Sequence, residues 1–93
     1  MGSLRQLHWS EMAIRDISQI GLRIAADSPE SAGRLLERIE RKVLTLIAHP
    51  QIGRLGVRSG TRELVVHRHY LVVYRILPDR IVILRVKHVA RKY

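Results

Sequence analysis

The chain has no cysteine, no phenylalanine and one tryptophan, Trp9. Without thiols, disulfides and thiolate metal sites are excluded, and a reducing compartment is compatible. Without phenylalanine, the core must be mostly Ile, Leu and Val. Acidic residues are scarce, 8 Asp plus Glu against 17 Lys plus Arg, which leaves a formal net charge of +9. That balance gives little scope for acid–base work by paired carboxylates. It favours polyanionic partners, either nucleic acid or an acidic protein segment. No apolar run approaches the roughly 20 residues that span a bilayer, and the N-terminus lacks the apolar stretch of a secretory signal. A soluble cytoplasmic protein without a membrane partner is expected.

At 93 residues, 46% of them hydrophobic, the expectation is one folded domain over 1–93 with one modest core. Leu4 to Trp9 alternates and reads as a short strand. Ser10 stands where a helix N-cap belongs, and Ala13, Ile17, Ile20 and Ile24 then form one helical stripe. Asp27-Ser28-Pro29-Glu30 starts a second helix: Ser28 caps, Pro29 loses no helical hydrogen bond at the first position, and Glu30 complements the dipole. Ala32, Leu35, Leu36, Ile39, Val43, Leu46 and Ile47 mark its apolar face. Glu30/Arg34 and Glu37/Arg41 have the spacing of ion pairs on the other face. Pro50 predicts its end at His49.

Gln51 to Gly60 reads as a glycine-rich loop. Strands follow at Thr61–His67, Tyr70–Leu77 and Arg80–His88, with turns around Arg68 and at Pro78-Asp79. The fold class expected is α+β: an N-terminal strand, then an antiparallel helical hairpin packed on a sheet of three or four mainly antiparallel strands.

Chemistry-bearing residues concentrate in the last half. Arg54, Arg58 and Arg62 precede or begin the first of these late strands. Arg75 lies in the next, Arg85, Lys87 and His88 in the last, and Arg91 and Tyr93 in the tail. A hairpin counted from Pro78-Asp79 places Val72 opposite Arg85 and Tyr70 opposite Lys87. That register brings tyrosine and cation onto one face, offering cation–π contact or base stacking, whereas a slip of one residue reverses the facing. The five histidines show no metal-binding spacing. His88, among cations, has its neutral form favoured and suits a general base. The serines lack an elbow motif, and the glycines match neither phosphate-binding fingerprint. No metal or cofactor is expected.

His49-Pro50 ending the second helix, Gly53-Arg54, Gly60-Thr61-Arg62-Glu63-Leu64, Tyr70-Leu71-Val72-Val73-Tyr74-Arg75 and Val86-Lys87-His88, in this order, resemble the RelE/ParE superfamily of toxins from type II toxin–antitoxin modules. The resemblance runs over nearly the whole chain. It implies a small cytoplasmic growth inhibitor neutralised by an acidic or amphipathic antitoxin segment in a higher-order complex. RelE-like members cut mRNA in the ribosome with basic side chains on the sheet and a histidine or tyrosine near the C-terminus; ParE-like members poison DNA gyrase.

Where RelE-like enzymes carry lysines, this chain has Glu63 and Val65; where they carry an arginine, it has Leu71. The long hairpin and the Gly-Thr-Arg-Glu-Leu stretch look ParE-like. The resemblance therefore implies a non-enzymatic binder of gyrase with no catalytic residues. It would use Arg54, Arg58, Arg62, Arg75, Arg85, Lys87, His88 and Arg91 toward antitoxin or target. The alternative is a ribosome-dependent mRNA endonuclease with His88 as base, Arg91 or Arg62 on the phosphate, and Tyr93 positioning a base.

Overall fold

The computed structural model describes residues 5–89. Its order is β1 (Gln6–Trp9), α1 (Glu11–Asp27), α2 (Pro29–Ala48), β2 (Arg54–Leu55), β3 (Arg62–His67), β4 (Tyr70–Ile76) and β5 (Arg80–His88). Both helices start where the caps predict. Ser10 Oγ accepts from Ala13 N at 3.1 Å, and Ser28 Oγ accepts from Ser31 N at 3.2 Å. Ser28 also closes α1, its N–H donating to Ile24 O. One residue thus ends one helix and begins the next, so the hairpin is as tight as a chain allows. Gly21 makes room for it: a Cβ there would stand 3.2 Å from Leu36 Cδ1.

The expected i,i+4 ion pairs do not form. Among the described residues the ion pairs are Arg54–Glu63, Arg80–Asp79 and Arg85–Asp16, and Arg34 donates to Ser31 Oγ instead. These side chains are exposed, and solvation competes with pairing there.

The sheet has five strands in the order β1-β5-β4-β3-β2, one or two more than expected. β1 runs parallel to β5, reached by the helical crossover, and the other pairs are antiparallel. β2 arises inside the glycine loop, a two-residue strand paired through Arg54↔Glu63 and Leu55↔Arg62. No alternating pattern announces a strand so short.

The helices cover one face. Ala13, Ile20, Leu35, Ile39, Val43 and Leu46 meet Leu64, Val66, Val72, Tyr74, Ile81, Ile83 and Val86 in a single core. Tyr74 is fully buried yet satisfied. Its hydroxyl donates to Pro50 O at 2.6 Å and accepts from Gly53 N at 3.0 Å, which fastens the end of α2 to the sheet.

A bulge corrects the expected register. Leu77 does pair with Arg80 at the turn, but β5 carries one extra residue: Tyr74 lies opposite Ile83 and Val73 opposite Arg85, leaving Leu84 out of the count. Tyr70 therefore faces His88, and Lys87 faces Leu71. The tyrosine–cation face predicted for Tyr70 and Lys87 is not made.

At the bulge, β5 is bonded to α1. Asp16 accepts from Val86 N at 2.9 Å and from Arg85 Nε at 2.7 Å. Ser10 Oγ donates to Leu84 O at 3.0 Å. Beyond the end of β1, the start of α1 thus takes over as partner for the exposed edge of β5.

Candidate functional site

Alternation along the strands separates two faces. Leu64, Val72 and Val86 share a buried row under the helices. Glu63, Val73 and Arg85 form the next row on the opposite face, and Val65, Leu71 and Lys87 the one after it. The outer face is therefore aliphatic in the middle, with charge at its margins.

The arginines singled out from sequence do not converge. Arg54 is held on Glu63 at 3.1 Å. Arg58 is exposed in the loop, and its carbonyl accepts from Thr61 Oγ1. Arg62 donates to Gly53 O at 2.7 Å and Gln51 O at 3.3 Å, so it braces the β2 loop. Arg75 lies exposed beside the Gly60 turn. Arg85 forms a two-pronged pair with Asp16, which raises its pKa. Lys87 is exposed on the last strand. Arg91 and Tyr93 lie outside the described residues.

Histidines do come together, where the sequence singled out only His88. Around the β3–β4 turn, the ring centroids of His69 and His88 are 5.7 Å apart and stacked. His67 is 5.5 Å from His69, and Tyr70 meets His88 edge-on at 5.3 Å. His67 Nδ1 accepts from His69 N. Its pKa is lowered by burial first, then by Arg38, His69 and Arg68, so the neutral ring is the stable form. The two-residue turn and the register Tyr70↔His88 assemble the cluster, and only strand pairing could have revealed it. Among the described residues no group of His, Asp or Glu is arranged to hold a metal ion. No helix of those residues is long and apolar enough to cross a membrane.

Arg62 and His88, one of the two phosphate–base pairs the nuclease alternative offers (the other uses Arg91, outside the described residues), are not neighbours. Arg62 is opposite Tyr74 and His88 opposite Tyr70. Four residues along the strand direction (roughly 13 Å) and two strand spacings (roughly 10 Å) separate them, about 16 Å in all.

Residues 7–93 match the family model described as the ParE toxin of the type II toxin–antitoxin system parDE. The chain belongs to this ParE toxin family. Among relatives of the ParE-family chain, Y4kP of Sinorhizobium fredii is 36% identical over 92 residues, covering 98% of this chain and 95% of its own. Toxin RelE2 of Caulobacter vibrioides is 32% identical over 88 residues, covering 95% and 99%. A chain of the chromosomal ParDE toxin–antitoxin system from Pseudomonas aeruginosa superposes with a TM-score of 0.82 at 27% identity, over 92% of this chain and 97% of that one.

We therefore describe a RelE/ParE-superfamily toxin with the two-layer α+β fold of its relatives.

Proposed function

We propose that this chain is the growth-inhibiting toxin of a type II module, acts in the cytoplasm, is silenced by a cognate antitoxin, and inhibits DNA gyrase in the ParE manner. The observation that carries this reading is the outer sheet face. RelE-like cleavage would need cations at the positions of Glu63, Val65 and Leu71. Here Glu63 is neutralised by Arg54, the other two are aliphatic, and Arg85 is committed to Asp16. Such a face offers little to offset the charge that develops on a phosphorane. It offers much more to a protein partner.

Exposed aliphatics support an antitoxin that wraps the molecule. Met12, Ile14 and Leu22 on α1, and Ile52, Leu55 and Val57 around β2, all stand at least half exposed. An amphipathic segment could bury them while its acidic side chains met Arg75 and Lys87 at the sheet margins. The assembly with antitoxin would be of higher order than one toxin and one antitoxin chain.

The imidazole cluster favours a second reading. Stacked His69 and His88 could relay a proton in a ribosome-dependent mRNA endonuclease, with His88 as base. The distance to Arg62 weighs against the version of this reading that uses Arg62 on the phosphate and leaves Arg91 for that role.

One experiment separates the two. The chain is expressed from a tightly controlled promoter, and replication and translation are followed as growth slows. Early replication arrest with gyrase-linked DNA breaks is expected, and His88→Ala should stay toxic. Early loss of translation with cleaved messages, abolished by His88→Ala, would replace the gyrase reading with the nuclease one.

A further inference from the structure

A strongly positive patch lies away from the strands that the sequence pointed to. It is a groove between α2 and the outer edge of β3, lined by Arg38, Arg41 and Lys42 from the helix and by Val65, His67 and Arg68 from the hairpin. The groove continues along the helix to Arg34. Arg34, Arg38 and Arg41 are spaced by four and three residues, so they stand on one helical stripe. None of Arg38, Arg41, Lys42 or Arg68 takes part in the ion pairs found among the described residues. Glu37 is the carboxylate that borders the stretch near Arg34.

We propose that this groove seats the phosphodiester backbone of duplex DNA. Arg34 to Arg41 spans ~10 Å along the helix axis, close to the axial rise of about three nucleotides of one strand. Arg34, Arg38, Arg41 and Lys42 on one wall and Arg68 on the other match a row of phosphates, and guanidinium forks suit their geometry.

Two features favour a nucleic-acid backbone over an extended acidic peptide. β2 pairs with Arg62 and Glu63 only, so Leu64 to His67 form an open edge, but the register shifts between Val65 and His67. That break disrupts the even backbone spacing that an added strand would need. Charged side chains also flank the edge, as they do where strand addition is disfavoured.

A duplex is favoured over a single strand because no Trp or Tyr lines the groove. The one aromatic ring in the lining, His67, already packs against His69 and Tyr70, which leaves unpaired bases little stacking platform. The contact would be to the backbone and independent of sequence. The inference rests on charge and shape, and does not require gyrase to be the target.

The test is fluorescence anisotropy of the full chain with a labelled mixed-sequence duplex over a series of salt concentrations. Arg38→Gln/Arg41→Gln is compared with Arg15→Gln/Arg23→Gln, which removes the same charge from exposed positions of α1. Circular dichroism checks that both variants keep the fold.

The groove variant should lose about tenfold or more in affinity, and its log–log salt slope should fall by about 1–2, as expected for one or two lost phosphate contacts. The α1 variant should change less than about threefold, the shift expected from net charge alone. Equal losses in the two variants would show that charge alone binds DNA and would overturn the proposal. So would absence of duplex binding by the wild-type chain. Tighter, Arg38/Arg41-dependent binding of a polyglutamate peptide would reassign the groove to an acidic protein segment.

Discussion

Tyr74 shows at the residue scale how a polar group is kept in this core. Its hydroxyl is buried where ionisation is costly, and burial raises its pKa against smaller opposing effects of the Gly53 hydrogen bond and Arg62. It survives there because it both donates and accepts, linking Pro50 and Gly53. Gly53 is the counterpart: any Cβ would come within 2.7 Å of Tyr74 Oη and Glu63 O. Tyr74→Phe keeps the ring but removes both bonds, leaving Gly53 N and Pro50 O without this partner. The expected loss is about 1–3 kcal/mol, read as a lower denaturant midpoint with an unchanged slope. A midpoint equal to wild type would mean that water replaces the hydroxyl without cost. The buried tyrosine was legible as a strand residue, but its role as a latch for the α2–β2 loop was not. That role depends on residues 21 and 24 positions away.

The element that most reshaped the reading is β5. Counted from the Pro78-Asp79 turn, its far half should have placed Arg85 and Val72 together. Asp16, 69 residues away in sequence from Arg85, instead accepts the Val86 N–H and holds the Arg85 fork, and the strand bulges at Leu84. A helical aspartate with no cation three or four residues away in sequence gives no hint of such a role. Asp16→Asn retains an acceptor for Val86 N but loses the charge on Arg85. It should cost about 1–2 kcal/mol after allowance for the partial exposure of Arg85. Protection of the Val86 amide against hydrogen exchange should fall more than that of Val72 on the neighbouring strand. Equal protection changes at both sites would show that the bulge does not depend on Asp16. The helical hairpin, in contrast, was readable to within a residue. Caps and proline act through the nearest few residues, and Ser10, Ser28 and Pro50 are all local signals.

On the scale of the whole molecule, +9 of net charge is divided between arginines that brace the structure and cations that face solvent. Arg54, Arg62 and Arg85 hold the loop and sheet edge, whereas Arg75 and Lys87 are exposed on the strands. The latter two are the ones we expect an antitoxin to reach. Arg75→Glu/Lys87→Glu should weaken binding of a cognate antitoxin by at least about tenfold, mainly through a slower on-rate and a weaker salt dependence. Calorimetry or interferometry would measure it. Affinity unchanged by the double reversal would place the acidic contacts elsewhere on the toxin, with the α2 groove as the next surface to test. Such sorting was out of reach from sequence, where every arginine near a strand looks equally available.

The amino-acid sequence by itself determined the helices, the late strands, the charge excess and the family. Each is encoded in short-range periodicity, capping residues or ordered motifs, which survive without knowledge of neighbours. The tertiary structure decided three further things: the parallel docking of β1 on β5, the bulge that turns Arg85 toward Asp16, and the gathering of His67, His69 and His88. It also placed the α2 arginines against the open edge of β3. All of these depend on contacts between residues distant in the chain. There one extra residue in a strand exchanges its faces, and no local pattern records it.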